Sequence, residues 1–340
     1  MAIFTVVLAV VILKPGEKVV LFDKPTETPE SSENSQNKNL IETPALNQSE
    51  NISADVHQNT ITLMFVGDIM LSRQVGAKME KENNWQWPFL KIADTIRTAD
   101  ILFGNLEGPI SDKGKNIGSI YSFRADIRAI EGLKFAGFDI LSVANNHMFD
   151  WGREAMEDTF KRLKEAGIDY AGGGMNESEA YVPLIKEIKG LKIAFLAYCA
   201  EGSEYWGASG EKSGIAWLEE QRLKKDIAEA KAKADLVIVS MHFGEEYQSK
   251  PTSVQKFFAR AAIDSGADLV VGHHSHVLQP IEEYKNGYIL YSLGNFVFDQ
   301  NFSPRTKEST ILKVIVEDAK IKVVIPLKAE ISDDFQVFLK

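Results

Sequence analysis

The chain has 340 residues, 44% of them apolar and 25% charged, with a formal charge of −10. This is the composition of a soluble globular protein with enough length for one large domain or two ordinary ones. The acidic balance excludes a nucleic-acid surface, which needs a basic footprint, and the single cysteine, Cys199, excludes a disulfide framework or a thiolate zinc cluster.

In chain order, residues 2–13 ("AIFTVVLAVVIL") are apolar apart from Thr5, and Lys14-Pro15-Gly16 stops the run. As a helix this stretch would rise roughly 18 Å, short of the ~30 Å hydrocarbon layer. No Lys or Arg precedes it. Two readings stay open: a core element of the fold, or an N-terminal apolar anchor or truncated signal segment over residues 1–22. The next stretch favours the second. Residues 23–59 contain no Phe, Trp or Tyr, and seven acids against two lysines give net −5. Such a segment buries too little apolar surface to offset its chain entropy and is expected to be a disordered acidic linker. An apolar start, a polar tether and a domain over 60–340 form the layout of a protein displayed outside a membrane.

From Thr60 onward apolar runs predict strands at 61–66, 101–103, 140–144, 193–198, 236–240 and 269–271. Amphipathic spacing predicts helices over 153–166, with Met156, Phe160 and Leu163 on the buried face, and over 252–266, with Val254, Phe257, Phe258, Ala261 and Ala262 on theirs. The alternation predicts an α/β domain whose sheet is covered on both faces. Short strands at 288–291, 311–316 and 321–325, joined by "YKNG" and "EDAK", predict antiparallel hairpins and so a mixed sheet or two stacked sheets.

Metal-binding residue types collect just past the strand ends: Gly67-Asp68, Asn105-Leu106-Glu107, Asn145-Asn146-His147, His242-Phe243-Gly244 and Gly272-His273-His274-Ser275-His276. Taken singly, the first four read more readily as a turn, a helix cap, loop hydrogen bonding or a satisfied core histidine, whereas Gly272–His276 is the stronger signal, because imidazoles one residue apart in an extended segment can face one cation. Five together at the carboxyl ends of strands, where open α/β sheets bind ligands, point to one shared pocket. Its donors are carboxylate, amide oxygen and imidazole without sulfur, which favours Mn, Fe, Zn or Mg and does not choose among them. One or two such cations would activate a water and polarise an oxyanion. His147, beside Asn146 and near an orienting Asp150, is the candidate proton donor.

The ordered motifs "FVGDIMLSR", "GNLEGPIS", "SVANNHMFDWG", "MHFGEEY", "GHHSHVLQPIE" and "YSLGNFVFD" resemble the calcineurin-like metallophosphoesterase superfamily. More closely, they resemble its bacterial branch of CapA/PgsA-type poly-γ-glutamate capsule biosynthesis proteins. The resemblance implies a four-layer α/β/β/α sandwich, an N-terminal membrane anchor, a place on the extracellular face of the cell membrane and a role in making or exporting an anionic capsule polymer with membrane synthase or export subunits. Position by position it implies that Asp68 and His276 ligate a first metal and that Asn146, His242 and His274 ligate a second, with Glu107 bridging them. His147 would be the acid, while Arg73, Asn105, Arg124, Asn145 and Asn295 would meet substrate. His273, on the side opposite His274 and His276, is expected to be structural or to support a ligand from behind. The superfamily's first motif is Asp-x-His, whereas this chain has Asp68-Ile69-Met70, so one imidazole of the first site is missing. Three functions remain open: a polymer-assembly factor, a cell-surface metal-dependent hydrolase of a phosphoester or cell-wall amide, and a binding module with a degenerate site.

Overall fold

The chain divides into two units, Met1–Gln58 and Asn59–Lys340. The structure, a computed structural model, describes residues 60–340. The anchor and linker expected over 1–22 and 23–59 lie outside the described residues. Among the described residues no helix is long and apolar enough to cross a membrane.

Two mixed sheets form the centre. In the first, the order is Val337–Leu339, Lys320–Ile331, Glu308–Glu317, Ile61–Ile69, Ile101–Leu106, Ile140–Ser142, Asp169–Ala171, and Asn295–Val297 also pairs with Ile61–Ile69. In the second it is Ile281–Tyr284, Gly287–Leu290, Leu269–His273, Leu236–His242, Leu191–Cys199, Leu184–Ile188. Neighbours are parallel from Ile61–Ile69 through Asp169–Ala171 and again across Leu191–Cys199, Leu236–His242 and Leu269–His273. The "EDAK" and "YKNG" connections close antiparallel hairpins.

Strand alternation decides what each face buries. Leu63 and Phe65 of the first sheet meet Phe195, Ile238, Leu269 and Val271 of the second in a layer between the sheets. There Phe103 and Phe195 stack with centroids 5.9 Å apart. On its outer side the first sheet packs against helices Arg73–Lys81, Ala129–Ala136 and Gly152–Ala166, the last through Met156, Phe160 and Leu163. Helices Glu220–Lys231 and Ser253–Asp264 cover the second sheet. The result is the expected four-layer sandwich.

Two expectations need correction. Helix Ser253–Asp264 buries Gln255, Ala259, Ala261, Ala262 and Ile263, while Val254 and Phe257 are about half exposed, at 54% and 51%. Small alanines let the helix sit close to the sheet, Val254 and Phe257 turn outward, and Phe258 stays packed against the core as expected. The second correction concerns where the strands stop. Asp68, Asn105, His242 and His273 lie inside the last residues of their strands, not in loops beyond them. The ladder persists, so register fixes these side chains: Asp68 stands opposite Asn105 and Asn295, and His242 opposite His273 and Cys199. Glycine makes this closeness possible. A Cβ on Gly67 would fall 1.9 Å from the Gly294 carbonyl oxygen, and one on Gly272 would fall 2.0 Å from that of Tyr291.

Candidate metal centre

The carboxyl ends of the parallel strands in both sheets bring a set of polar side chains together. Asp68, Asn105, Glu107, His242, His274 and His276 are all buried there. Asp68, Glu107 and His242 each offer a donor atom within 4.8 Å of the others. His242 Nε2 lies 2.9 Å from Asn146 Oδ1 and 3.1 Å from His274 Nδ1. On the other side, Asp68 Oδ2 is 3.4 Å from His276 Nδ1, and Glu107 Oε1 is 3.6 Å from His276 Nε2. Neighbouring donors around a small divalent cation, bound at ~2.1 Å, stand roughly 3 Å apart, which is the spacing of the Asn146, His242 and His274 donors.

The electrostatics agree with that reading. Burial, and next the charge of Asp68, push the Glu107 carboxyl well above the usual range. Both of its oxygens are buried without a hydrogen-bond partner. Burial alone would raise Asp68, but the neighbouring His273 and His276 imidazoles hold it well below its usual value. Burial, then the proximity of His274, lowers His242 well below the ordinary imidazole value. Burial and His276 lower His274 to about 3. Burial also opposes charge on His276, yet Glu107 and Asp68 raise it to about 9. His242 and His274, kept neutral, and a buried Glu107 carboxyl without hydrogen-bond partners suit a cation, because ligation requires neutral histidine and ionised carboxylate. The residues present therefore fit a divalent metal.

The loop that carries the histidines is held in an unusual conformation. His274 and His276 have φ of +86° and +55°, a region that costs non-glycine residues about 1–3 kcal/mol each and persists where surroundings enforce it. His274 N–H donates to Asp68 Oδ2 at 3.2 Å, and Asn295 Oδ1 lies 2.9 Å from His276 Nδ1, fixing that ring.

The other expected site residues divide into two groups. His147 joins the cluster: its Nδ1 is 2.7 Å from Asp150 Oδ2, its Nε2 is 3.8 Å from Glu107 Oε1, and its ring stacks on Phe123 at 3.9 Å. Arg73, held by Asp299 at 3.2 Å, lies 5.4 Å from the centre of the Phe123 ring on which His147 stacks. Expected at substrate, Asn105, Asn145 and Asn295 are instead completely buried with their amides engaged inside the protein. Asn105 Nδ2 donates to Asp68 Oδ1 at 2.8 Å. Asn145 Nδ2 donates to Asn105 Oδ1 and to the Leu106 carbonyl, and Asn295 Nδ2 donates to Gln300 Oε1 and to the Thr306 carbonyl. Arg124 lies over Trp151 at 3.4 Å and donates to the Lys113 carbonyl, outside the cluster.

Sequence reasoning missed two neighbours. Phe123, the platform under His147, carries no local signal. His273 does not point away from the cluster as expected: its Nδ1 is 3.3 Å from Asp68 Oδ1. The alternation Leu269, Val271, His273, which continues the layer between the sheets, was the available signal.

Comparison with known proteins places this arrangement in a class. Residues 62–300 match the model of a family described as bacterial capsule synthesis protein PGA_cap. The capsule biosynthesis protein CapA of Bacillus anthracis is 37% identical, over 79% of this chain and 68% of that protein. The PGA biosynthesis protein CapA of Bacillus subtilis (strain 168) is 34% identical, over 75% of this chain and 67% of that protein. A hypothetical protein from Thermus thermophilus shares the fold, with TM-score 0.51 and 16% identity over 79% of this chain and 99% of that one. The chain belongs to the PGA_cap family of bacterial capsule synthesis proteins.

Proposed function

We propose that this chain is a membrane-anchored extracytoplasmic protein acting in the biosynthesis or export of poly-γ-glutamate, and that its strand-end cluster holds one or two divalent cations. Family membership and the names of the curated relatives support the polymer. The observation that carries the metal is Glu107, a buried carboxyl whose two oxygens have no hydrogen-bond partner and lie among imidazoles. In this reading residues 1–22 anchor the chain, 23–59 tether it, and 60–340 work on the extracellular face of the cell membrane. Its partners are an anionic polymer and membrane synthase or export subunits.

Asn146, His242 and His274 would hold one cation, Asp68 and His276 the other, with Glu107 between them. When bound, such a cation acidifies a water and polarises an oxyanion, and donors limited to oxygen and nitrogen suit Mn, Fe, Zn or Mg. His147, oriented by Asp150, presents Nε2 toward the cluster to hand a proton to a leaving group. Arg73 supplies positive charge beside it for an anionic chain.

The His147–Asp150 pair also favours a second reading, a cell-surface metal-dependent hydrolase acting on a phosphoester or a cell-wall amide. Loss of the gene in its host, with surface poly-γ-glutamate as readout, separates the two. Polymer should disappear and return with the wild type but not with Asp68→Ala. Unchanged polymer together with metal-dependent turnover of a generic phosphodiester would leave only the hydrolase.

A further inference from the structure

The first motif of this chain has Met70 where the resembled superfamily has an imidazole, and the structure shows where that methionine went. Its sulfur accepts from the Ser72 backbone N–H at 3.2 Å and from the Ser72 hydroxyl at 3.0 Å. The rest of its side chain belongs to the apolar layer outside the first sheet. Met70 offers nothing to the cluster, and a thioether would bind a hard cation poorly.

A different imidazole occupies the space beside Asp68. His273 ends strand Leu269–His273, on the side where Leu269 and Val271 enter the layer between the sheets. Its register partner is His242 on the adjacent parallel strand, so the two rings project the same way. The side chain of His273 is fully buried, with Nδ1 3.3 Å from Asp68 Oδ1. Neither ring nitrogen has a hydrogen-bond partner. Buried polar atoms in native proteins are almost always partnered, and an orphan calls for an explanation such as an ion. A core histidine kept for packing would place at least one nitrogen on a carbonyl or hydroxyl. The Asp68 Oδ1 that it approaches takes the Asn105 amide at the shorter distance of 2.8 Å.

We propose that His273 is a direct metal ligand, supplying the imidazole of the first cation position beside Asp68, Glu107 and His276 that Met70 does not provide. The inference rests on the metal-site reading above and deepens it. With His273 the first position has two imidazoles and two carboxylates, a complete set for Mn, Fe or Zn, and the centre takes two cations instead of one.

The test uses the full chain, selectively labelled with ¹⁵N-histidine and titrated with zinc. The protein has six histidines, and ring nitrogens that ligate zinc move to distinct chemical shifts. Four rings should move together, those of His242, His273, His274 and His276, while His57 and His147 keep metal-free tautomer patterns. Elemental analysis in parallel should give two equivalents for the wild type and one for His273→Gln, with the metal-free melting temperature of the variant equal to or above that of the wild type. Three shifted rings, or a His273→Gln protein that keeps both cations, would overturn the assignment of His273 while leaving the site intact. A wild type in which no ring moves overturns the metal-site reading itself. Because the titration needs no variant, a misfolded His273→Gln would leave the answer unaffected.

Discussion

Asp68 and Asn105 stand directly opposite each other on adjacent parallel strands, and the Asn105 amide donates to Asp68 Oδ1 at 2.8 Å. That contact joins two motifs of the sequence at the base of the pocket and turns the Asp68 carboxylate toward the imidazoles of the second sheet. It also makes position 105 sensitive to charge.

Asn105→Asp would place a second carboxylate against Asp68 in a buried space, where like charges disfavour ionisation of both. The metal-free variant should melt several degrees below the wild type, and added Mn should raise it by more than it raises the wild type. Thermal melts with chelator and with Mn measure both. An unchanged metal-free melting temperature would contradict the packing described for this pair.

Glu107→Gln has the opposite sign. The wild-type carboxyl is buried and unpartnered, so its neutral amide should leave the metal-free protein as stable or about 1–3 kcal/mol more stable. The stabilisation conferred by metal, about 4 kcal/mol at a thousandfold excess over Kd for a single site, should largely vanish. Urea denaturation with and without Mn checks the pair of effects. A destabilised metal-free variant would mean that Glu107 has partners the cluster does not reveal.

The loop after Glu107 is pinned through Asp158, which accepts from Ser111 Oγ at 2.6 Å and Arg162 Nε at 2.7 Å and lies 3.2 Å from Lys113 Nζ. Burial would raise Asp158, but these partners hold it below its usual value. A carboxyl with a lowered folded pKa contributes stability above its unfolded value, ~3.9, and loses it as pH falls through the folded value. Asp158→Asn should therefore cost roughly 1–3 kcal/mol at pH 7. The gap to wild type should stay constant down to about pH 5 and narrow only below pH ~4. A gap that closed near neutrality would assign the effect to another group.

Cys199 faces His242 across the ladder and is fully buried, and burial raises its thiol far above the ordinary range. In the folded protein it should resist thiol-specific reagents and react only as fast as the chain opens, since the thiolate is the nucleophile. Rapid labelling of native protein would place that strand end at the surface.

Much of the fold was legible in residue patterns. Nearly continuous apolar runs located the central strands, and Met156, Phe160 and Leu163 marked the buried stripe of their helix. The stripe of Ser253–Asp264 misled because hydrophobicity alone does not say whether alanine or phenylalanine faces a sheet. Alanine won there through close approach. Strands such as Leu184–Ile188, with its alternating polar and partly exposed pattern, lacked the continuous apolar signal of a buried strand.

For the site, the ordered motifs located the side chains that gather at the strand ends but not the direction of each one. Asn295 lies in a motif, yet its role as a prop for His276 depends on Asn295–Val297 pairing beside Ile61–Ile69, a contact distant in sequence. His273 reaches Asp68 because its strand runs one residue pair farther than its apolar run, a direction the motif did not give.

In the proposed function, side chains from both sheets gather around a divalent cation. The most direct measurement is elemental analysis of the full chain after equilibration with equimolar Mn, Fe(II), Zn and Mg and removal of free ions. Stoichiometric metal is predicted in the wild type, with a sharp loss in His242→Ala. Wild-type protein that emerges free of all four metals, with its melting temperature indifferent to chelator, would contradict the claim.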